Sequence, residues 1–232
     1  MARQRLFSSR PIEAIAAAES VAVIGLGRFG GALALELEAA GTEVLGIDAD
    51  EDVVQSFNGL LTHVVRADTT KEEALRQLSL SEFDRVVVGI GSDLEASILT
   101  TSILLRFDRP TLWAKAISEP HAQILSQLGV ERVIRPEHDM GKRVAHLVRG
   151  TMLDYVEFED NFAMVKTRPP REYWDRELGT TGLRAKYGVT VVAVKRKGGA
   201  WDHTTAQTTL YDDDEIIVAG PTRRAELFSA LL

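Results

Sequence analysis

The sequence predicts an α/β protein: a doubly wound parallel sheet followed by a small α+β unit. Six short β-branched runs between Val21 and Pro136 alternate with segments of helical period, as a chain of βαβ units requires. A glycine-rich loop stands between the first run and the first helical segment. Near Gly150 the period changes to alternating apolar residues broken by paired turn residues, the signature of antiparallel strands.

The six strand candidates are VAVIG (21–25), EVLGID (43–48), THVVRA (62–67), RVVVGI (85–90), TLWAKA (111–116) and ERVIRP (131–136). Helical segments run from Phe29 to Ala40, Lys71 to Leu78, Leu94 to Arg106, Pro120 to Leu128 and Pro136 to Arg149, each short enough for one crossover. Residues 151–168 read as a hairpin with its turn at Asp160-Asn161. Short helical pieces follow around Tyr173–Leu178 and Leu183–Tyr187. Then come a strand over 189–196, a Gly198-Gly199 turn, a strand over 215–220 and a last helix from Pro221. The organisation is an N-terminal arm (1–19) with an Ala-rich helix at Ile12–Ala18, a nucleotide-binding domain (20–150) and a C-terminal domain (151–232).

Composition narrows the function. The 232 residues hold no cysteine, which excludes disulfides, thiolate metal sites and cysteine nucleophiles and leans to the cytosol. Residues 1–150 carry 16 basic and 21 acidic side chains, and 151–232 carry 11 and 13, so neither part offers the basic face that nucleic acid needs. No apolar run approaches the ~20 residues of a membrane span, and the N-terminus lacks an apolar core of signal-peptide quality. A soluble intracellular protein is expected, with any membrane connection made through a partner.

Gly25-Leu26-Gly27-Arg28-Phe29-Gly30 follows the first strand and opens the first helix, the context of a Rossmann-like phosphate loop. There the first glycine permits the tight turn, the second a close approach to phosphate, and the third close helix–strand packing; free N–H groups and the helix dipole favour the anion. Asp48 ends the second strand at the distance expected of a ribose-binding carboxylate. An acid there also disfavours a 2′-phosphate. Arg28 puts a guanidinium where it reaches a terminal phosphate, in its own subunit or a neighbour; a solvated arginine at a helix start is the plainer alternative.

A hydride-transfer enzyme would also need an acid–base group facing the cofactor. After residue 150 there is one histidine, His203; His63 sits in a strand, and His121, His138 and His146 fall in helices where a surface histidine is the ordinary expectation. No HExxH, GxSxG, Walker A or EF-hand pattern occurs. The residues point to a nucleotide reader without turnover. An NAD-dependent oxidoreductase and a free-standing NADH-sensing module stay as alternatives, distinguished from it by nucleotide preference.

The segments VAVIGLGRFGGALALEL, VLGIDAD, VVVGIGSDLEASILTT, WAKA and VIRPEHDMGKRVA resemble the RCK domains (regulators of potassium conductance) of bacterial Ktr and Trk potassium-uptake systems, most closely the KtrA type, over about residues 20–148. Residues 151–232, with TTGLRAKYGVTVVAVKR and DDDEIIVAG, resemble the smaller RCK C-terminal domain. The resemblance implies a cytosolic regulatory subunit at the inner face of the membrane. It would form dimers within an octameric ring docked on a membrane potassium-translocating subunit of the KtrB type, with ATP and ADP, or NAD(H), in the crevice. Carried over, Gly25, Gly27 and Gly30 cradle phosphate, with Phe29 in the same loop, and Asp48 holds ribose. Asp68, with Thr69 beside it in ADTT, lies on the adenine side. Arg28 senses the γ-phosphate across the dimer, Lys115 lies near the phosphates, and Gly91 and Ser92 close over the nucleotide. Glu137 binds a divalent cation, Mg or Ca, between two loaded subunits, with Arg135 where relatives often have His. In some relatives the C-terminal domain binds cyclic di-AMP; Thr205-Ala206-Gln207 departs from the family pattern at that place.

On its residues alone, a first-turn acid favoured by the helix dipole (~0.3–1 kcal/mol) is the alternative reading of Glu137. Asp212-Asp213-Asp214-Glu215 is most simply a solvated turn, and Lys195-Arg196-Lys197 a hairpin end.

Overall fold

The computed structural model describes residues 20–107 and 110–231. The N-terminal arm and the helix expected at Ile12–Ala18 lie outside the described residues. The chain divides into two compact units after Glu137, earlier than the change of period at 150.

In the first unit, β1 (Val21–Ile24), β2 (Val44–Asp48), β3 (His63–Arg66), β4 (Arg85–Val88), β5 (Thr111–Lys115) and β6 (Arg132–Ile134) form one parallel sheet in the order β3-β2-β1-β4-β5-β6. The crossovers are α1 (Arg28–Ala39), α2 (Glu51–Ser56), α3 (Glu72–Gln77), α4 (Leu94–Leu104) and α5 (Glu119–Leu128), with a 3-10 turn at Leu80–Glu82. All six strands fall within the expected runs. The one unforeseen helix is α2, a short piece capped by Asp50, whose carboxylate accepts from the Asp52 N–H.

Both faces of this sheet are covered, which is why its strands read as unbroken apolar runs. Alternate residues serve opposite cores. Ala22, Ile24, Leu45 and Ile47 pack with Leu75, Phe83, Leu104 and Leu125, whereas Val21, Val23 and Val44 pack with Leu26, Ala34 and Leu61. Strand order turns at β1 and β4, so the loops after these two strands diverge to opposite faces and leave a crevice beyond their carboxyl ends.

The helix α6 (Pro136–Arg149) begins at the end of the first unit, and its later turns belong to the second, where Leu147 packs on the core and His146 stacks on Tyr155 at 4.1 Å. That packing is the physical reason the units part near 137. The second unit holds an antiparallel sheet, β11-β10-β13-β8-β7, made of β7 (Asp154–Phe158), β8 (Phe162–Thr167), β10 (Thr190–Lys195), β11 (Trp201–His203) and β13 (Glu215–Pro221). The β7–β8 hairpin turns at Asp160 and Asn161, both at positive φ (59° and 57°), as a tight hairpin demands. In place of the helical piece expected around Tyr173–Leu178 stand a 3-10 turn (Arg171–Tyr173), the short strand β9 (Arg176–Glu177) paired with β12 (Thr209–Leu210), and α7 (Leu178–Thr181). The helices α8 (Leu183–Tyr187) and α9 (Thr222–Ser229) follow expectation.

Two polar residues depart from their surface assignment. Asp214 is buried: its Oδ2 accepts from the Tyr211 N–H at 2.8 Å and pairs with Arg196, so the acidic run is solvated only at Asp212 and Asp213. Arg196 also donates to the Thr209 carbonyl (2.8 Å) and lies over the Tyr211 ring. His121 is likewise buried in the first unit.

Candidate functional site

The crevice at the carboxyl ends of β1 and β4 encloses about 710 Å³. Its floor is the turn from β1 into α1. Gly25 stands at φ +86°, and a Cβ on it would meet the Ile90 nitrogen at 2.9 Å, so only glycine fits. At Gly27, which caps α1 without a side chain, no neighbouring atom lies within 4 Å of where a Cβ would stand. The space over Gly27 is open to the crevice, and the first N–H groups of α1 border it. Gly30 does not line the crevice: its would-be Cβ lies 1.8 Å from the Gly25 carbonyl oxygen, so its missing side chain serves close packing of helix on turn.

One wall is the end of β2. The Asp48 carboxylate accepts from the Leu26 N–H at 2.7 Å and from the Asp50 N–H at 3.0 Å, so it is fixed across the turn before any ligand arrives. Each carboxylate oxygen keeps acceptor capacity for a hydroxyl. Beyond β3, Asp68 Oδ1 accepts from the Thr70 N–H (3.0 Å) and hydroxyl (2.6 Å), and these bonds hold its carboxyl below the usual aspartate range. Thr69 borders the crevice, but its hydroxyl is buried in a 2.9 Å bond with Thr100.

The opposite wall carries the charge. Lys115, at the end of β5, is buried with its ammonium 2.6 Å from Glu137 Oε1 and 5.6 Å from the centre of the Phe29 ring. Gly91 lies beside it: a Cβ there would stand 3.2 Å from Lys115 Nζ, so the absence of a side chain lets the loop after β4 rest on the ammonium. The hydrogen bond from Lys115 is the main cause holding the Glu137 carboxyl below the usual glutamate range, and Arg28 lowers it further. Arg28, Lys115 and Glu137 therefore gather at one end of the crevice within a single chain. Arg28 and Ser92 are exposed at its mouth.

Eleven of the twelve residues expected at the site line this one crevice, Gly30 being the exception. Asp50, Asp93, Ala96 and Ile117 line it too and were not foreseen. Asp93 was legible as an N-cap, since its carboxylate accepts from the Ala96 N–H at 2.9 Å, but a cap says nothing of which loop it faces. Arg135 pairs with Glu119 outside the lining. In the second unit Gln207 borders a separate surface pocket with Arg196, Asp202 and Tyr211. Among the described residues no group of three or more potential ligands stands close enough to hold a metal ion. No helix there is long and apolar enough to cross a membrane.

A glycine-floored helix start opposite a backbone-held carboxylate, at the point where strand order turns, defines a nucleotide-binding α/β module. Residues 21–136 match the TrkA-N domain model and residues 164–232 the TrkA-C domain model. Ktr system potassium uptake protein C of Bacillus subtilis (strain 168) is 38% identical over 200 residues, 86% of this chain and 90% of that protein. Ktr system potassium uptake protein A of the same organism is 35% identical over 208 residues, 89% of this chain and 94% of that protein. The chain belongs to this family of Ktr-type proteins and joins a TrkA-N to a TrkA-C domain. The crystal structure of the GsuK RCK domain shares its fold at a TM-score of 0.64 and 15% identity, covering 91% of this chain and 47% of that one, so the chain spans about half the length of that structure.

Proposed function

We propose that the protein is the nucleotide-reading regulatory subunit of a membrane potassium transporter, with ATP and ADP as its ligands and no turnover of its own. The observation that carries this reading is the convergence of Arg28, Lys115 and Glu137 at the phosphate end of a crevice whose floor is open at Gly27. Two cations there respond to the number of phosphates present, and charge-assisted bonds to phosphate are the strong kind. Asp48 takes the ribose hydroxyls, and Asp68 lies toward the base.

The working assembly is a cytoplasmic octameric ring of dimers, peripheral to the membrane through a KtrB-type pore subunit. The first domain reads the nucleotide and the second, C-terminal domain regulates. Only a ligand that binds the two states of the ring unequally shifts their balance. In this scheme the γ-phosphate supplies the difference, through Arg28 of its own crevice and Arg28 of a neighbouring copy across the dimer. Glu137 is 61% exposed at the crevice rim, and one carboxylate per chain suits half of a divalent-cation site shared by two copies. When bound, Mg or Ca would supply positive charge between the two loaded subunits. The surface pocket at Gln207 is where cyclic di-AMP would be sought.

Isothermal titration with ATP, ADP and NADH tests the reading. Binding of ATP and ADP with NADH clearly weaker is expected. Binding of NADH alone would move the weight to redox sensing or to a dehydrogenase.

A further inference from the structure

The buried His121 has no part in the nucleotide reading so far, yet its ring joins two elements that border the crevice. It sits in the first turn of α5, 1% exposed. The Ile117 N–H faces its Nδ1 at 3.4 Å. Because that N–H is a donor, Nδ1 accepts, and the single proton of the neutral ring resides on Nε2, which faces the Ser97 hydroxyl at 3.4 Å. The ring thus ties α4, through Ser97, to the segment leaving β5, through Ile117. One end of the tie, Ile117, lines the crevice; the other, Ser97, is buried directly behind Ala96, which lines it. Ile117 Cγ2 and Lys115 Nζ are also the side-chain atoms nearest to where a Cβ on Gly91 would stand, at 3.4 and 3.2 Å. The strip from Lys115 to Ile117 is therefore the seat of the Gly91 loop, and His121 holds the far end of that strip.

We propose that His121 is a positioning residue of the nucleotide crevice: its neutral ring holds the Ile117 segment, and Lys115 with it, against the Gly91 loop, and uptake of a proton releases the segment. This inference rests on the crevice being a nucleotide site. A protonated ring carries donors on both nitrogens, so Nδ1–H would confront the Ile117 N–H and the acceptor would be lost. A buried imidazolium without an anionic partner is also costly. From α4 the ring faces Ser97, and from the segment before α5 it faces Ile117 and Ser118, whose hydroxyl accepts from the His121 N–H. The charged side chains on those elements, Asp93, Glu95 and Glu119, are exposed, and the Lys115 ammonium is engaged with Glu137. Burial pushes the ring's proton affinity below the usual histidine range, so the release belongs to pH below that at which an ordinary histidine titrates.

The test is titration of the full chain with ATP from pH 8 to pH 5, in the parent, in His121→Asn and in His121→Leu. The asparagine carbonyl can replace Nδ1 as acceptor and takes up no proton. Between pH 7 and pH 5 the parent should lose about tenfold more affinity than His121→Asn, the worth of roughly one net hydrogen bond. His121→Leu, with no acceptor, should be weak throughout. Nitrogen NMR of the His121 ring in the parent, without nucleotide, should show the proton on Nε2 at pH 8. Parallel pH curves in parent and His121→Asn, or a proton on Nδ1 at pH 8, would overturn the role of His121 alone. A parent that binds no nucleotide at pH 8 would sink the reading of the crevice, and this inference with it.

Discussion

The Lys115 ammonium meets the Glu137 carboxylate at 2.6 Å although the lysine side chain is 8% exposed and the glutamate 61%. A cation buried among a glycine loop and an aromatic ring is thus satisfied from the solvent side, by an acid at the rim. Its remaining donors are available to the crevice, since an ammonium has three N–H bonds and one is spent on Glu137.

Replacing that cation separates binding from folding. Lys115→Met should weaken ATP and ADP by about tenfold or more, the range for a lost hydrogen bond to a charged group. Its melting temperature should stay close to the parent's, because Glu137 is free to hydrate. Calorimetric titration beside a thermal melt checks both; a variant that binds both nucleotides at parental affinity would remove Lys115 from the phosphate site.

The glycines of the loop should divide by what stands where their side chain would go. Gly30→Ala forces a methyl into the Gly25 carbonyl, and it should destabilise the fold by about 3 kcal/mol or more in urea denaturation. Gly27→Ala has open space and an ordinary φ of −62°, so stability should hold while nucleotide affinity falls.

Asp48 works in two directions. Asp48→Asn keeps one acceptor oxygen and sets an amide against either the Leu26 or the Asp50 N–H, so a loss of about 1–3 kcal/mol of stability is expected. Discrimination against a 2′-phosphorylated ribose should relax in the same variant, measured by comparing ADP with its 2′-phosphate.

In the second unit Arg143 holds Asp154 below the usual carboxylate range, through Nε at 3.1 Å and a terminal nitrogen at 2.6 Å. A depressed carboxyl stabilises the fold above its unfolded value of 3.8, and that contribution is lost as pH falls through the lower folded value. Arg143→Ala should therefore raise the pH of the acid-unfolding midpoint, followed by circular dichroism. An unchanged midpoint would remove Asp154 from the groups that resist acid.

The sequence by itself determined most of the elements and most of the candidate site. Ala22, Ile24, Leu45 and Ile47 are apolar because a parallel strand is buried on both faces, and that run is visible without coordinates. Gly25, Gly27 and Asp48 were legible because a glycine-rich turn and a strand-ending acid stand at a fixed spacing after the first strand of such folds. Local pattern failed where partners lie far along the chain. A histidine in a helix looks the same whether Ser97 and Ile117 enclose it or water does, and an aspartate before a strand looks solvated until Arg196 and Tyr211 close over it. The same holds for the short strand β9, which exists only because β12 pairs with it. Burial and charge pairing are properties of packed neighbours, and only the tertiary structure brings Lys115, Glu137 and Arg28 to one end of one crevice.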